Sequence, residues 1–230
     1  MHIFFDLDDT LIDSESAHEF AIKALFKEYF KDSVPENIAE TWMNITNKYL
    51  AIYFEKEIDL EQQRISRIQE FWKYFGENLN VSTSKKIYSK YHKHFLSSCL
   101  IFEDTINTLE KLSDLSIGLI SNGTYPDQIF KLRHNNLHKY LDQILISEKV
   151  GFSKPDKRIF QYAAKQANKK IEECIYIGNS FKLDYLGSLN SGMKAIWLDR
   201  RNTATSDFDG NKIINLNQLI DHQLLHRDQS

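Results

Sequence analysis

Residues 3–14 read IFFDLDDTLIDS, a short apolar run that breaks off into acids at Asp6, Asp8, Asp9 and Asp13. Ile3, Phe4 and Phe5 form the kind of continuous apolar stretch that a strand shows when both its faces are covered. In an extended chain, residues two apart share a face, so Asp6 and Asp8 point the same way. Like charges so close raise one another's pKa unless a cation offsets them. Either something positive stands there or one acid keeps its proton.

Outward from this stretch the chain has two textures. Of its 8 glycines, only Gly76 falls in the first hundred residues. Residues 15–98 carry apolar positions three to four apart in AHEFAIKALFKEYF, IAETWMNITNKYLAIYF, LEQQRISRIQEFWKYF and SKKIYSKYHKHFL, which predicts at least four amphipathic helices. Pro35 and Ser82 to Ser84 suit helix starts. From residue 100, short apolar runs alternate with helical stretches. LSIGLIS, QILIS, CIYIGN and MKAIWLD read as buried strands, and INTLEKLS, DQIFKLRHN, KRIFQYAAKQA and FKLDYLGSL as the helices between them. Such alternation predicts a doubly wound parallel sheet, with IFFDLD as its fifth strand. The expected architecture is an α/β, Rossmann-like core of residues 1–14 and 99–230, with an α-helical cap, residues 15–98, inserted after the first strand. The tail NQLIDHQLLHRDQS reads as a short helix and a frayed end.

Bulk properties narrow the function. A chain of 230 residues that is 42% hydrophobic can bury one generous core, or a core and a smaller domain. Its formal charge of -3 gives no basic field for neutralising a nucleic-acid backbone. Neither a signal-like start nor a run of membrane-spanning length is visible, so a cytoplasmic protein without membrane partners is expected. Cys99 and Cys174 lie far apart outside any CxxC pattern and read as reduced core residues.

In an open parallel sheet, ligands bind beyond the carboxyl ends of the strands. The first strand delivers Asp6, Asp8 and Thr10 to that edge, and LSIGLIS delivers Ser121, Asn122 and Gly123. Lys154 and Pro155 precede KRIFQYAAKQA; CIYIGN brings Gly178, Asn179 and Ser180, with Asp184 a turn further on. Acids of this kind form an oxygen-rich set suited to Mg²⁺, which would answer the repulsion of the opening stretch. A serine hydroxyl, adjacent backbone N–H groups and a lysine can hold phosphate oxygens. One aspartate can act as nucleophile while another moves the proton. The set fits phosphoryl transfer.

FDLDDTLIDS, ISNG, SEKVGFSKPDKRIF and IGNSFKLDYLGSLNSGM, in this order at these strand ends, resemble the four signature motifs of the haloacid dehalogenase (HAD) superfamily. The resemblance implies Asp6 as nucleophile and Mg²⁺ ligand. It implies Asp8 as general acid/base lending its main-chain carbonyl to the metal, and Thr10 as the residue that orients Asp8. Ser121, Asn122, Gly123 and Lys154 would bind phosphate; Asp184 and Asn179 would complete the metal site. The insert resembles the helical C1 cap of subfamily I. One position departs from the pattern: the fourth motif usually begins Gly-Asp, and here it reads Gly178-Asn179. Asn keeps an oxygen donor and loses a charge, which weakens the expected hold on Mg²⁺. YLDQILISEKVGFSKPDKRIFQYAAKQA and YFEKEIDLEQQRISRIQEFW are similar to the pyrimidine 5′-nucleotidase branch, implying a nucleoside monophosphate as the small phosphorylated substrate; a monomer or homodimer is expected. The alternatives are a sugar-phosphate phosphomutase and a catalytically weakened phosphate-binding protein. A 2-haloacid dehalogenase is disfavoured because Asp8 is present.

The remaining candidates have plainer readings. Asp9 and Asp13 are structural, Asp9 turned away from Asp8 and Asp13 capping the turn into the insert. His18 reads as a solvated helix histidine, and His92 and His94 lie on different helical faces. Trp42, Phe54, Phe71, Trp72, Tyr74 and Phe75 should mostly form the core of the cap.

Overall fold

A computed structural model describes residues 1–30 and 33–226. The chain divides into two compact units, Met1–Asp13 with Leu100–Ser230, and Ser14–Cys99. In chain order the elements are β1 (His2–Phe5), β2 (Ile12–Asp13), α1 (Ser14–Phe30), α2 (Ile38–Phe54), α3 (Leu60–Tyr74), α4 (Val81–Ser98), β3 (Leu100–Ile101), α5 (Thr105–Lys111), β4 (Ser116–Ser121) and α6 (Tyr125–His134). They continue with β5 (Gln143–Ile146), α7 (Ser147–Val150), α8 (Lys157–Gln166), β6 (Cys174–Gly178), α9 (Gly187–Ser191), β7 (Lys194–Leu198), β8 (Lys212–Ile213) and α10 (Gln223–His226). Among the described residues, no helix is long and apolar enough to cross a membrane.

The first unit is a parallel sheet in the order β5-β4-β1-β6-β7-β8. Numbered by their succession in the sheet, these strands run 3-2-1-4-5-6, the doubly wound order whose switch point lies between the first strand and the fourth, here β1 and β6. Two-sided coverage explains the apolar runs: Ile3, Phe4, Phe5, Leu119, Ile120, Ile175, Tyr176 and Ile177 are all fully buried. Phe4, Tyr176 and Phe160 of α8 share one core cluster. Gly118 is required by close packing, since a Cβ there would stand 2.5 Å from the Phe4 ring.

Two features exceed the sequence reading. The sheet has a sixth strand, β8, and β2 pairs antiparallel with β3 where the chain leaves and re-enters the core. Each of these strands is only two residues long, too short for an alternation to register. Asp13 ends β2 opposite Leu100, directly ahead of α1. The expected helix FKLDYLGSL divides into a π-helical turn, Phe181–Leu186, followed by α9. The tail forms a 3-10 turn, Leu216–Leu219, and α10. The frayed end expected after them lies outside the described residues.

Among the described residues, the second unit has four helices, with α1 packed on α2 and α4, and α3 packed on α2 and α4. Two expected helix starts are corrected. Asn80, not Ser82 to Ser84, caps α4, its side chain accepting from the Thr83 N–H at 2.9 Å. Pro35 precedes the first turn of α2, which begins at Ile38 after Asn37. Asp59 and Gln62 form a reciprocal capping box at the start of α3. Trp42, Phe71 and Trp72 are buried as expected, whereas Phe54 and Tyr74 are exposed. His18 is corrected as well. It is half-buried, stacks on Phe95 and places Nδ1 against the Tyr91 hydroxyl, so it is packed rather than solvated. Cys99 and Cys174 are buried free thiols.

Candidate active site

β1 ends at Phe5, and the Asp6 N–H donates to the Ile177 carbonyl of β6 at 2.9 Å, which fixes Asp6 at the switch point. The chain then turns sharply: the N–H groups of Leu11 and Ile12 both donate to the Leu7 carbonyl, at 2.9 and 3.0 Å. Asp9 takes φ +57° in this turn, a conformation that aspartate tolerates better than most residues. The Thr10 hydroxyl accepts from the Asn179 N–H at 3.1 Å and donates to the Asn179 carboxamide oxygen at 3.4 Å, tying the first motif to the fourth.

Both acids of the opening stretch meet buried lysines: Asp6 shares Lys154 with Asp184, and Asp8 meets Lys131. The Lys154 ammonium donates to Asp6 at 2.6 Å, Asp184 at 2.7 Å and the Tyr176 hydroxyl at 2.9 Å. These contacts use all three N–H bonds of the ammonium. Tyr176 in turn donates to the Ile120 carbonyl at 2.9 Å. Asp8 is held by Lys131 at 2.6 Å and by the Gln128 amide at 2.7 Å. Lys131, Gln128 and Tyr176 are contacts that the sequence alone does not point to, and they add to the metal expected there. Gln128 and Lys131 stand three apart on one face of α6, beginning five residues beyond Gly123 of the ISNG turn, and only the pairing of β4 with β1 sets that face against Asp8.

Electrostatics follow from burial and sharing. Burial pushes the Asp6 carboxyl up against the pull of Lys154, and the neighbouring Asp184 and Asp8 charges add to the rise. Burial works to lower the Lys154 ammonium, but Asp184 and Asp6 together outweigh it and hold the group above its ordinary value. One cation therefore serves two carboxylates and leaves Asp6 short of full compensation. Burial, reinforced by both acids, holds Tyr176 well above its usual range, so it remains a neutral phenol.

Ser121 ends β4, fully buried, and its hydroxyl accepts from Gln128 at 2.7 Å. The Asn122 side chain brackets the third motif: it accepts from the Lys154 N–H at 2.8 Å and donates to the Lys154 carbonyl at 3.0 Å. Expected to bind phosphate, its carboxamide is spent on holding the lysine loop. The Gly123 N–H donates to the Ser147 hydroxyl at 3.1 Å. Asp184 lies in the π-turn, its second oxygen accepting from the Ser180 N–H at 2.8 Å. It packs directly over Gly178, where a Cβ would stand 2.5 Å from the Asp184 carboxyl carbon.

Among the described residues, no three His, Cys, Asp or Glu side chains group at metal-holding distance. Two carboxylates, Asp6 and Asp184, converge on Lys154, and Asn179 adds a carboxamide oxygen nearby on the same edge. This all-oxygen set with few carboxylates is compatible with Mg²⁺, which binds through one or two carboxylates and completes its shell with water and phosphate oxygens.

Fold and site together define a doubly wound α/β chain with acids at its switch point. A family model for haloacid dehalogenase-like hydrolases matches residues 3–198, and the chain belongs to that family. It is 30% identical over 196 residues to a glyceraldehyde 3-phosphate phosphatase of Methanothermobacter thermautotrophicus, covering 84% of this chain and 83% of the relative. It is 28% identical over 205 residues to the pyrimidine 5′-nucleotidase YjjG of Escherichia coli, covering 86% and 85%. Among solved structures, the putative HAD-hydrolase YfnB of Bacillus subtilis, determined with magnesium bound, superposes with a TM-score of 0.83 at 20% identity over 96% of each chain. That last likeness is one of fold.

Proposed function

We propose that this protein is a phosphomonoester hydrolase that works through an aspartyl-phosphate on Asp6, with nucleoside 5′-monophosphates as the leading substrate class. The observation that carries the reading is the pairing of Asp6 and Asp8 with separate buried lysines at the switch point. Two carboxylates kept apart in this way can take two roles. Asp6 attacks phosphorus, an Asp6–O–P bond forms, and the bond to the leaving oxygen breaks. Asp8 gives its proton to that oxygen. In the second half, Asp8 takes a proton from water as the water oxygen attacks phosphorus, and inorganic phosphate leaves with Asp6 restored. Ser121 and the main-chain N–H groups of its turn are suited to the remaining phosphate oxygens, and Lys154 keeps Asp6 and Asp184 from repelling an anionic substrate. Mg²⁺ held by Asp6, Asp184, the Asn179 carboxamide and the Asp8 main-chain carbonyl would supply further positive charge for the phosphoryl group.

A second substrate class, small sugar phosphates, is favoured by the 30% identity to the archaeal glyceraldehyde 3-phosphate phosphatase. Both readings are tested by measuring phosphate release from nucleoside monophosphates, sugar phosphates and 4-nitrophenyl phosphate, with Mg²⁺ and with a chelator. Release that requires Mg²⁺ is the expected outcome, and its rank order selects the class. Binding without turnover of any compound would support the weakened phosphate-binding protein instead. Dependence on a bisphosphate activator with little net release would support a phosphomutase.

A further inference from the structure

We propose that Lys131 and Gln128 are positioning residues for Asp8, fixing the direction in which its carboxylate exchanges a proton. The assignment rests on the reading of Asp8 as acid and base. Both side chains project from α6, 2% and 4% exposed for Gln128 and Lys131 respectively, and reach Asp8 across more than 100 residues of sequence. A buried ammonium is costly unless an anion meets it, and here Lys131 meets the Asp8 Oδ1 oxygen. Gln128 meets the other oxygen, Oδ2. The carboxylate is thus held at both oxygens from one side, while 29% of the side chain stays open to solvent.

The orientation of the Gln128 amide is fixed by its surroundings. Its nitrogen faces three acceptors, Asp8 Oδ2 and Ser121 Oγ at 2.7 Å and the Asn122 carbonyl at 2.9 Å. A reversed amide would set its carbonyl against the carboxylate. The turn that follows β4 is shaped around this amide: a Cβ on Gly123 would press on the Gln128 nitrogen at 3.1 Å, and Gly123 adopts φ +139°. One amide therefore ties the Ser121 hydroxyl to the proton-transferring acid. Proton transfer demands heavy atoms within about 2.6–3.2 Å. An Asp8 released from Lys131 and Gln128 would rotate about its side-chain torsions and meet that condition less often.

The test compares two leaving groups. An alkyl phosphomonoester from the panel above needs its leaving oxygen protonated, whereas the nitrophenolate of 4-nitrophenyl phosphate leaves without a proton. Lys131→Met should lower kcat/KM for the alkyl ester by roughly 10–100-fold, and for 4-nitrophenyl phosphate by no more than about 3-fold, given the usual size of acid catalysis. Lys131→Arg should recover part of the loss. Gln128→Met should show the same split and serves if Lys131→Met does not fold. Equal losses on both esters, or no loss, would overturn the assignment while leaving the phosphatase reading intact. A wild type that hydrolyses neither ester would overturn the reading and the assignment together.

Discussion

Asp6 has a carboxylate that the fold strains to keep charged. Its pKa lies above the ordinary carboxylate value because burial and two neighbouring acids outweigh the share of Lys154 it receives. A raised folded-state pKa means that the native protein binds a proton the unfolded chain has already released. The stability gained from that proton is complete at acid pH and is lost as pH rises through the folded pKa. Asp6→Asn removes the titration. The metal-free variant should therefore melt above the metal-free wild type at pH 8, with the gap closing toward pH 5, as read by thermal denaturation. Asn179 is the second residue of interest. It keeps an oxygen where the family pattern has a carboxylate, and Asn179→Asp should tighten Mg²⁺ several-fold in isothermal calorimetry, because affinity for hard cations rises with ligand charge. A weakened or unchanged affinity would place residue 179 outside the metal shell.

At the scale of elements, the site depends on how closely the π-turn approaches the end of β6. Gly178 is the point of contact, and Gly178→Ala would drive a Cβ into Asp184, detaching it from Lys154 or from the Ser180 N–H. We expect a stability loss of about 1–3 kcal/mol, as for other overpacked positions, in urea denaturation. Turnover should fall roughly 10²-fold, the usual cost of misplacing a site group by about an ångström. The strands and helices that make this edge were legible in the sequence because each is long enough to show its period. Asp6, Asp8 and Ser121 were legible because each stands at or just after a strand end, whereas Lys154, in the loop beyond α7, and Asp184, in the π-turn, were legible from the motifs around them. Lys131 and Gln128 were not: their partner Asp8 is brought to them only when β4 and β1 pair, and nothing local distinguishes a buried lysine in DQIFKLRH from an exposed one. Tyr176 was hidden in the same way, read as one more apolar strand residue although its hydroxyl bridges Lys154 and the Ile120 carbonyl. β2, β3 and β8 were too short to carry a pattern.

In the molecule as a whole, one parallel sheet with a reversal between β1 and β6 gathers Asp6, Lys154 and Asp184 into one set of contacts and Asp8, Ser121 and Gln128 into another. The four-helix unit is inserted between β2 and β3. In the proposed reaction, Asp6 of the core unit carries the phosphoryl group between substrate and water. The direct measurement is an acid quench of the protein during turnover of 4-nitrophenyl phosphate labelled at phosphorus, followed by peptide mapping. Label is expected on the peptide containing Asp6, with none in Asp6→Asn and turnover reduced at least about 10³-fold in that variant. Steady phosphate release with no label on that peptide, or an Asp6→Asn variant that keeps near-normal activity, would contradict it.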